Sequence, residues 1–274
     1  MPPPPSAAYL NARGAFREEV LACIRTSQNC AGIPAPTGSH FYASALFTVL
    51  CSRAVSLLKL IPVLDDGDLL EEPWDYGSVF TLSRSLLEVR LAFFYLAIEQ
   101  VPEEEWYCRW NLMCLHDCTG RTRLFEVMDD EPQELAPHLE GFAAQAEELR
   151  ERLRKNAFFT SLPEGRQRHL LRGTDAYLSP LEELATRSGS TVGEFRLLYR
   201  LLSSQVHALP ISFFRMDEGN RGTGVHSEVE EGYIQTCLEL ATHLLVLSRA
   251  EMTEKFQAHV ATALKGTVPG GPTP

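Results

Sequence analysis

Apolar residues recur along this chain at helical spacing, and no stretch alternates in the manner of a half-buried strand. Glycine and proline cut the pattern into successive elements. A first helix is expected over about residues 7–26, ended by the Gly- and Pro-rich loop from Asn29 to Gly38. A second covers about 39–64, with Ser39 placed to cap it. The acidic stretch from Asp65 to Trp74 reads as a turn, and a third helix follows over about 76–100. Pro102 followed by Glu103, Glu104 and Glu105 opens a fourth, because proline suits the first turn and acids suit the positive end of the helix dipole. Pro132 opens a fifth in the same way, running to about Asn156 with a break expected at Pro137. Its second half, Glu147 to Lys155, mixes charges as a solvated face does, with Glu148 and Arg152 at the favourable i,i+4 spacing. Residues 158–180 read as irregular with one short helix, a segment suited to move as a lid. Further helices are expected at 181–187, 191–208 and 226–264.

The pattern therefore predicts an all-α protein, an up-and-down bundle of about seven to nine helices. One helical domain is expected over 7–265, with a disordered Pro-rich tail at 1–6 and a flexible tail at 266–274. The most apolar stretch, Phe41 to Leu64, is interrupted by Arg53 and Lys59 and is read as a core helix, with no membrane span expected. Met1 to Ala8 has neither the charged start nor the apolar core of a secretory leader. Seven cysteines without a CxxC pair fit reduced thiols better than a disulfide framework, so the expected compartment is the cytoplasm.

Charge narrows the partners. Lys plus Arg number 25 against 36 Asp plus Glu, a net −11 that repels phosphate backbones at long range. Sequence-specific DNA recognition is not expected, although a local arginine cluster can still hold RNA. Metal chemistry finds little support. His116-Asp117 lacks the further ligands of a metal site, none of the eight histidines has Glu three residues before it, and paired cysteines are absent. No metal or cofactor is called for. Gly219 to Gly224 is glycine-rich but follows no strand, so it reads as a flexible loop. Trp106, Tyr107, Trp110, Met113 and Cys114 read as core of the fourth helix.

One constellation carries chemistry. At about 100° per residue, Arg196, Arg200, Ser203 and His207 fall within about 60° on one stripe of the 191–208 helix, with Tyr199 at its edge. On the third helix, Arg84 and Glu88 share a face with Phe80, Leu91 and Tyr95, in a segment apolar nearly all round. A charged pair on so apolar a helix is costly unless each member is paired. Arg84 and Glu88 can satisfy each other, or reach across to the His207 stripe.

Arg84-Ser-Leu-Leu-Glu88 with its apolar run to Tyr95, followed by Tyr199-x-x-x-Ser203-x-x-x-His207, resembles a bacterial all-helical family of unknown function, over about residues 40–250. That family is in turn distantly similar to the HEPN superfamily, many of whose members are metal-independent ribonucleases of toxin and antiphage systems. The superfamily motif is Arg, four to six residues, then His, which Arg200-x6-His207 matches at its long end; Leu201 stands where a polar residue usually follows the arginine. The resemblance implies a homodimer acting on RNA, with His207 and Arg200 catalytic and Arg84, Glu88, Arg196, Ser203, Tyr199 and Tyr95 supporting or binding. The same residues read equally as a buried hydrogen-bond network that fixes helix packing in a non-catalytic interaction or ligand-binding module.

Overall fold

The computed structural model describes residues 4–62, 73–127, 132–207, 210–214 and 221–266, the side chains of 132–138, 211 and 260–266 excepted. The expected acidic turn at 65–74 lies mostly outside the described residues, as do residues 219–220 of the glycine-rich loop and the tails at 1–3 and 267–274. The described chain is all-α, with no strand among its described residues. Its elements are α1 (Ala7–Cys30), α2 (Gly38–Leu60), α3 (Tyr76–Phe93) continued by a π-helical turn (Phe94–Ile98), α4 (Glu103–Glu126), α5 (Pro132–Lys155), α6 (Ala157–Ser161), α7 (Glu164–Leu170), α8 (Leu181–Arg187), α9 (Val192–Val206), α10 (Pro210–Phe213) and α11 (Glu228–Gly266).

Most differences from the expected boundaries have local causes. The cap of α2 is Thr37, whose hydroxyl accepts from the His40 amide, and Ser39 sits inside the first turn. At its other end α2 stops at Leu60, two residues before Pro62. The third helix changes to π geometry after Phe93. α5 continues through Pro137, which removes the bond that its amide would give the Gln133 carbonyl but does not end the helix.

Contacts divide the chain into two compact units, residues 1–98 with 185–274, and residues 99–184. In the first unit α11 packs along α1, α3 and α2, while α3 also receives α9 on another side. The core combines Phe16 and Val20 of α1, Phe47, Leu50 and Leu57 of α2, Val79, Phe80, Leu86 and Phe93 of α3, and Ile234, Leu238, Leu245 and Phe256 of α11. By length and composition α2 is also apolar enough to cross a membrane. Ala43, Phe47, Leu50, Ala54 and Leu57 turn inward, and Phe41 and Val49 lie exposed on its other side. All seven cysteines are free thiols. Burial pushes Cys51 up to about 11 and Cys108 and Cys237 up to about 12, so none is a ready nucleophile.

The second unit is built on α4, α5 and α6. Its core is Cys108, Leu112, Leu115 and Cys118 of α4 against Ala146, Leu149 and Leu153 of α5, closed by Phe159 and Leu170. This buried face of α4 is rotated from the expected one: Tyr107 is 45% exposed and Trp106, Trp110 and Met113 are only partly buried. Arg109 explains the rotation, since its guanidinium is buried and held by Glu99 at 2.7 Å and Glu105 at 2.5 Å. The segment after α6, read from sequence as a lid, is tied down instead. Arg166 donates to Asp175 at 3.0 Å and to the Leu178 carbonyl at 2.9 Å, and the Gly173 carbonyl accepts from Thr119 at 2.6 Å. Gly173 adopts a φ of +69°, and a Cβ there would meet Thr119 Cγ2 at 2.6 Å, so only glycine fits.

Two buried polar sets in the first unit were not legible in the sequence. Arg90 of α3, 2% exposed, donates to Glu251 of α11 at 2.8 Å. Its guanidinium also lies near the Phe93 and Phe94 rings, 5.8 and 5.7 Å from their centroids. Burial lowers the pKa of Arg90 and raises that of Glu251, opposing both charges, and the mutual attraction offsets it. At the start of α11, fully buried Glu230 accepts the Gly222 amide at 2.6 Å, and burial raises its pKa. Beside it Glu231 accepts from the Ser6 amide at 3.1 Å and lies 2.6 Å from His226.

Glu251→Ala should leave Arg90 buried and uncompensated and cost about 3–5 kcal/mol in urea unfolding, whereas the double change Arg90→Met with Glu251→Leu should recover most of it. A loss below about 1 kcal/mol in the single variant would contradict this account. Glu230 has a folded pKa raised above its unfolded value of about 4.3, so its contribution is present below that pH and is lost as pH rises through the folded value. Melting temperatures from about pH 4 to 7 should show wild type losing ground to Glu230→Gln as pH rises; parallel curves would show the carboxyl titrating normally.

Candidate functional site

α9 is fixed at its start by a capping box. The Thr191 hydroxyl accepts from the Glu194 amide, and the Glu194 carboxylate accepts from the Thr191 amide. Phe195 and Leu202 bury on one side of the helix. That phase puts Tyr199, between them, against α3, and leaves Arg196 and Arg200 exposed. His207 is the C-cap residue, exposed, where the helix ends.

On the facing surface of α3, Arg84 reaches across. Its Nε donates to Glu88 Oε1 at 3.1 Å, and Nη2 donates to the Tyr199 hydroxyl at 2.9 Å. That hydroxyl in turn donates to Glu88 Oε1 at 3.3 Å, closing a three-membered ring of hydrogen bonds. The guanidinium carbon also sits 4.6 Å from the Tyr199 ring centroid, a cation–π distance. Nη1, the remaining nitrogen, points to His207 Nε2 at 3.5 Å. Arginine only donates, so a hydrogen bond at this contact makes Nε2 the acceptor and leaves the proton of a neutral ring on Nδ1. The Arg84 side chain is 15% exposed and that of Glu88 43%. A clamped cation therefore lies under an open rim of one imidazole and one carboxylate.

Of the residues singled out in the sequence, Arg84, Glu88, Tyr199 and His207 meet. Ser203 is turned inward along its own helix, its hydroxyl donating to the Tyr199 carbonyl. Arg200 makes no ion pair or hydrogen bond among the described residues, and Arg196 shares its exposed side of the helix. Tyr95 is buried in the π-helical turn, which packs on α2. Leu91, on the same predicted face one turn earlier, is buried as well, so this end of the face turns into the core. His116 and Asp117 point to different partners, the Gly173 carbonyl at 3.2 Å and Arg121 at 2.8 Å. Among the described residues no cluster of three or more potential metal ligands occurs.

Residues 42–223, which include every member of this cluster, match a family model described as a family of unknown function, DUF5677. The chain belongs to this family. No curated protein and no solved structure matches it. The DUF5677 match begins inside α2 and runs past α10, so it takes in α3 and α9, the two helices that hold the cluster, and stops short of α11.

Tyr199→Phe removes one acceptor for Arg84 and one donor to Glu88 while keeping the ring under the guanidinium. It should lower unfolding stability by about 1–2 kcal/mol. The NMR signals of His207 should shift as Arg84 is released. A variant as stable as wild type with an unmoved His207 resonance would show that the ring of hydrogen bonds does not hold Arg84.

Proposed function

We propose that the Arg84–Glu88–Tyr199–His207 cluster is the centre of a HEPN-like, metal-independent ribonuclease site, in a bacterial toxin or defence protein that works as a homodimer in the cytoplasm. The observation that carries this reading is the 3.5 Å approach of the clamped Arg84 to an exposed His207. RNA cleavage through the 2′-hydroxyl needs a base for that hydroxyl and a cation on the phosphate, roles that an imidazole and a guanidinium can fill. His207 takes the 2′-hydroxyl proton as that oxygen attacks phosphorus. The bond to the 5′-oxygen breaks, that oxygen takes up a proton, and a 2′,3′-cyclic phosphate remains. Arg84 and the exposed Arg200 neutralise the charge that builds on the phosphoryl oxygens. Glu88 and Tyr199 hold Arg84 in one orientation, so little reorganisation is needed as that charge develops.

A second reading has its own observation. Arg84 is largely covered and satisfied from within by Glu88 and Tyr199. The cluster then serves to pin α9 to α3 in a non-catalytic interaction or ligand-binding module.

Purified protein incubated with total RNA and tRNA in excess EDTA should yield discrete fragments with cyclic phosphate ends, and folded His207→Ala should yield none. Absence of cleavage across both RNAs would overturn the nuclease reading. Under the packing reading, His207→Ala should instead lower stability by about 1–3 kcal/mol, read by thermal or urea unfolding.

A further inference from the structure

Three basic side chains meet where the start of α2 lies against the second half of α11. The His40 ring, in the first turn of α2, is 5.2 Å from the His259 ring and 5.4 Å from that of Phe256. Lys255 lies one turn before His259 on α11 and is half-buried. His40 is held in place, its Nδ1 2.8 Å from the Thr37 hydroxyl and its ring hydrogen-bonded to the Lys255 backbone carbonyl. Lys255 and His259 are not used in this way. Neither makes an ion pair with a carboxylate among the described residues, and His259 Nδ1 is shielded from water without a hydrogen-bond partner.

Electrostatics point the same way as geometry. Burial lowers the Lys255 pKa, and burial together with Lys255 and His259 lowers that of His40. No carboxylate is among the groups acting on either residue. Glu254, the adjacent acid on α11, is exposed and acts on Glu251, which Arg90 already engages. Thr37 and Ser39, the polar neighbours on the α2 side, are uncharged. A half-buried ammonium and two imidazoles without an acid between them favour negative charge at that place, in a chain whose net charge is otherwise −11.

We propose that Lys255 and His259, with His40 behind them, bind a small oxyanion: inorganic phosphate, or the phosphate group of a small phosphorylated metabolite. Lys255 supplies a fixed charge and up to three donors, and His259 supplies a ring N–H. His40 contributes to the local potential from its fixed position. Protonation of His40, whose pKa is lowered by burial and its basic neighbours, adds charge, so the affinity rises as pH falls below the ordinary histidine value. Nothing in this site depends on the Arg84 cluster.

The test is a melting curve of the full chain in about 20 mM phosphate against chloride at equal ionic strength, near pH 6 and near pH 7.5. A ligand that binds only the folded state should raise Tm by about 2–4 °C at the lower pH and less at the higher. Lys255→Met keeps the aliphatic stem and should abolish the shift; His259→Gln should reduce it. Arg84→Gln should leave it intact. Glycerol phosphate shifting Tm more than phosphate would identify a phosphorylated metabolite, and equal shifts the free oxyanion. No phosphate-specific shift, an unchanged shift in Lys255→Met, or one lost in Arg84→Gln would overturn the proposal.

Discussion

α3 is enclosed by α2, α9 and α11, so the guanidinium groups of Arg84 and Arg90 leave water when the first unit folds. Each cation then requires an acceptor that folding brings to it, because a buried unpaired charge costs several kcal/mol. Arg90 finds Glu251 on α11, and Arg84 finds Glu88 on its own helix and Tyr199 on α9. The two arginines thereby fix which helices flank α3 and at what register. Apolar contact alone would tolerate sliding of α9 or α11 along α3, whereas two hydrogen-bonded cations do not.

The helices were legible because their signals are local. Pro102 with three following glutamates and Pro132 each act within one turn, and the structure starts α4 and α5 there. The pairing of Arg84 with Glu88 was legible for the same reason, being an i,i+4 contact. Arg90 with Glu251 was not, since 161 residues separate them and Glu251 looks like any acid on a mixed helix. The burial of Tyr95 was not legible, because a helical wheel shows which residues share a face and not where along the helix that face enters the core. The face of α4 was misjudged because Trp106, Tyr107 and Trp110 were weighed as core. Their partial exposure goes with the neighbouring Arg109, whose buried guanidinium is turned inward to Glu99 and Glu105.

Clamping and function are often treated as rivals for a polar cluster, yet the physics of Arg84 joins them. A free surface arginine would have to lose side-chain entropy to meet an anion, up to roughly 2 kcal/mol. Arg84 has already lost it, through Glu88 and Tyr199, as the protein folded. What remains for a ligand is one nitrogen, Nη1, beside the imidazole of His207. Glu88 sets a limit as well as a position: its carboxylate is 43% exposed at the rim, so it opposes a second negative charge brought close to Arg84. A group carrying one negative charge, as a phosphodiester does, meets less repulsion there than a dianionic phosphomonoester. The residue that holds the cation in place therefore also limits how much negative charge can come close to it.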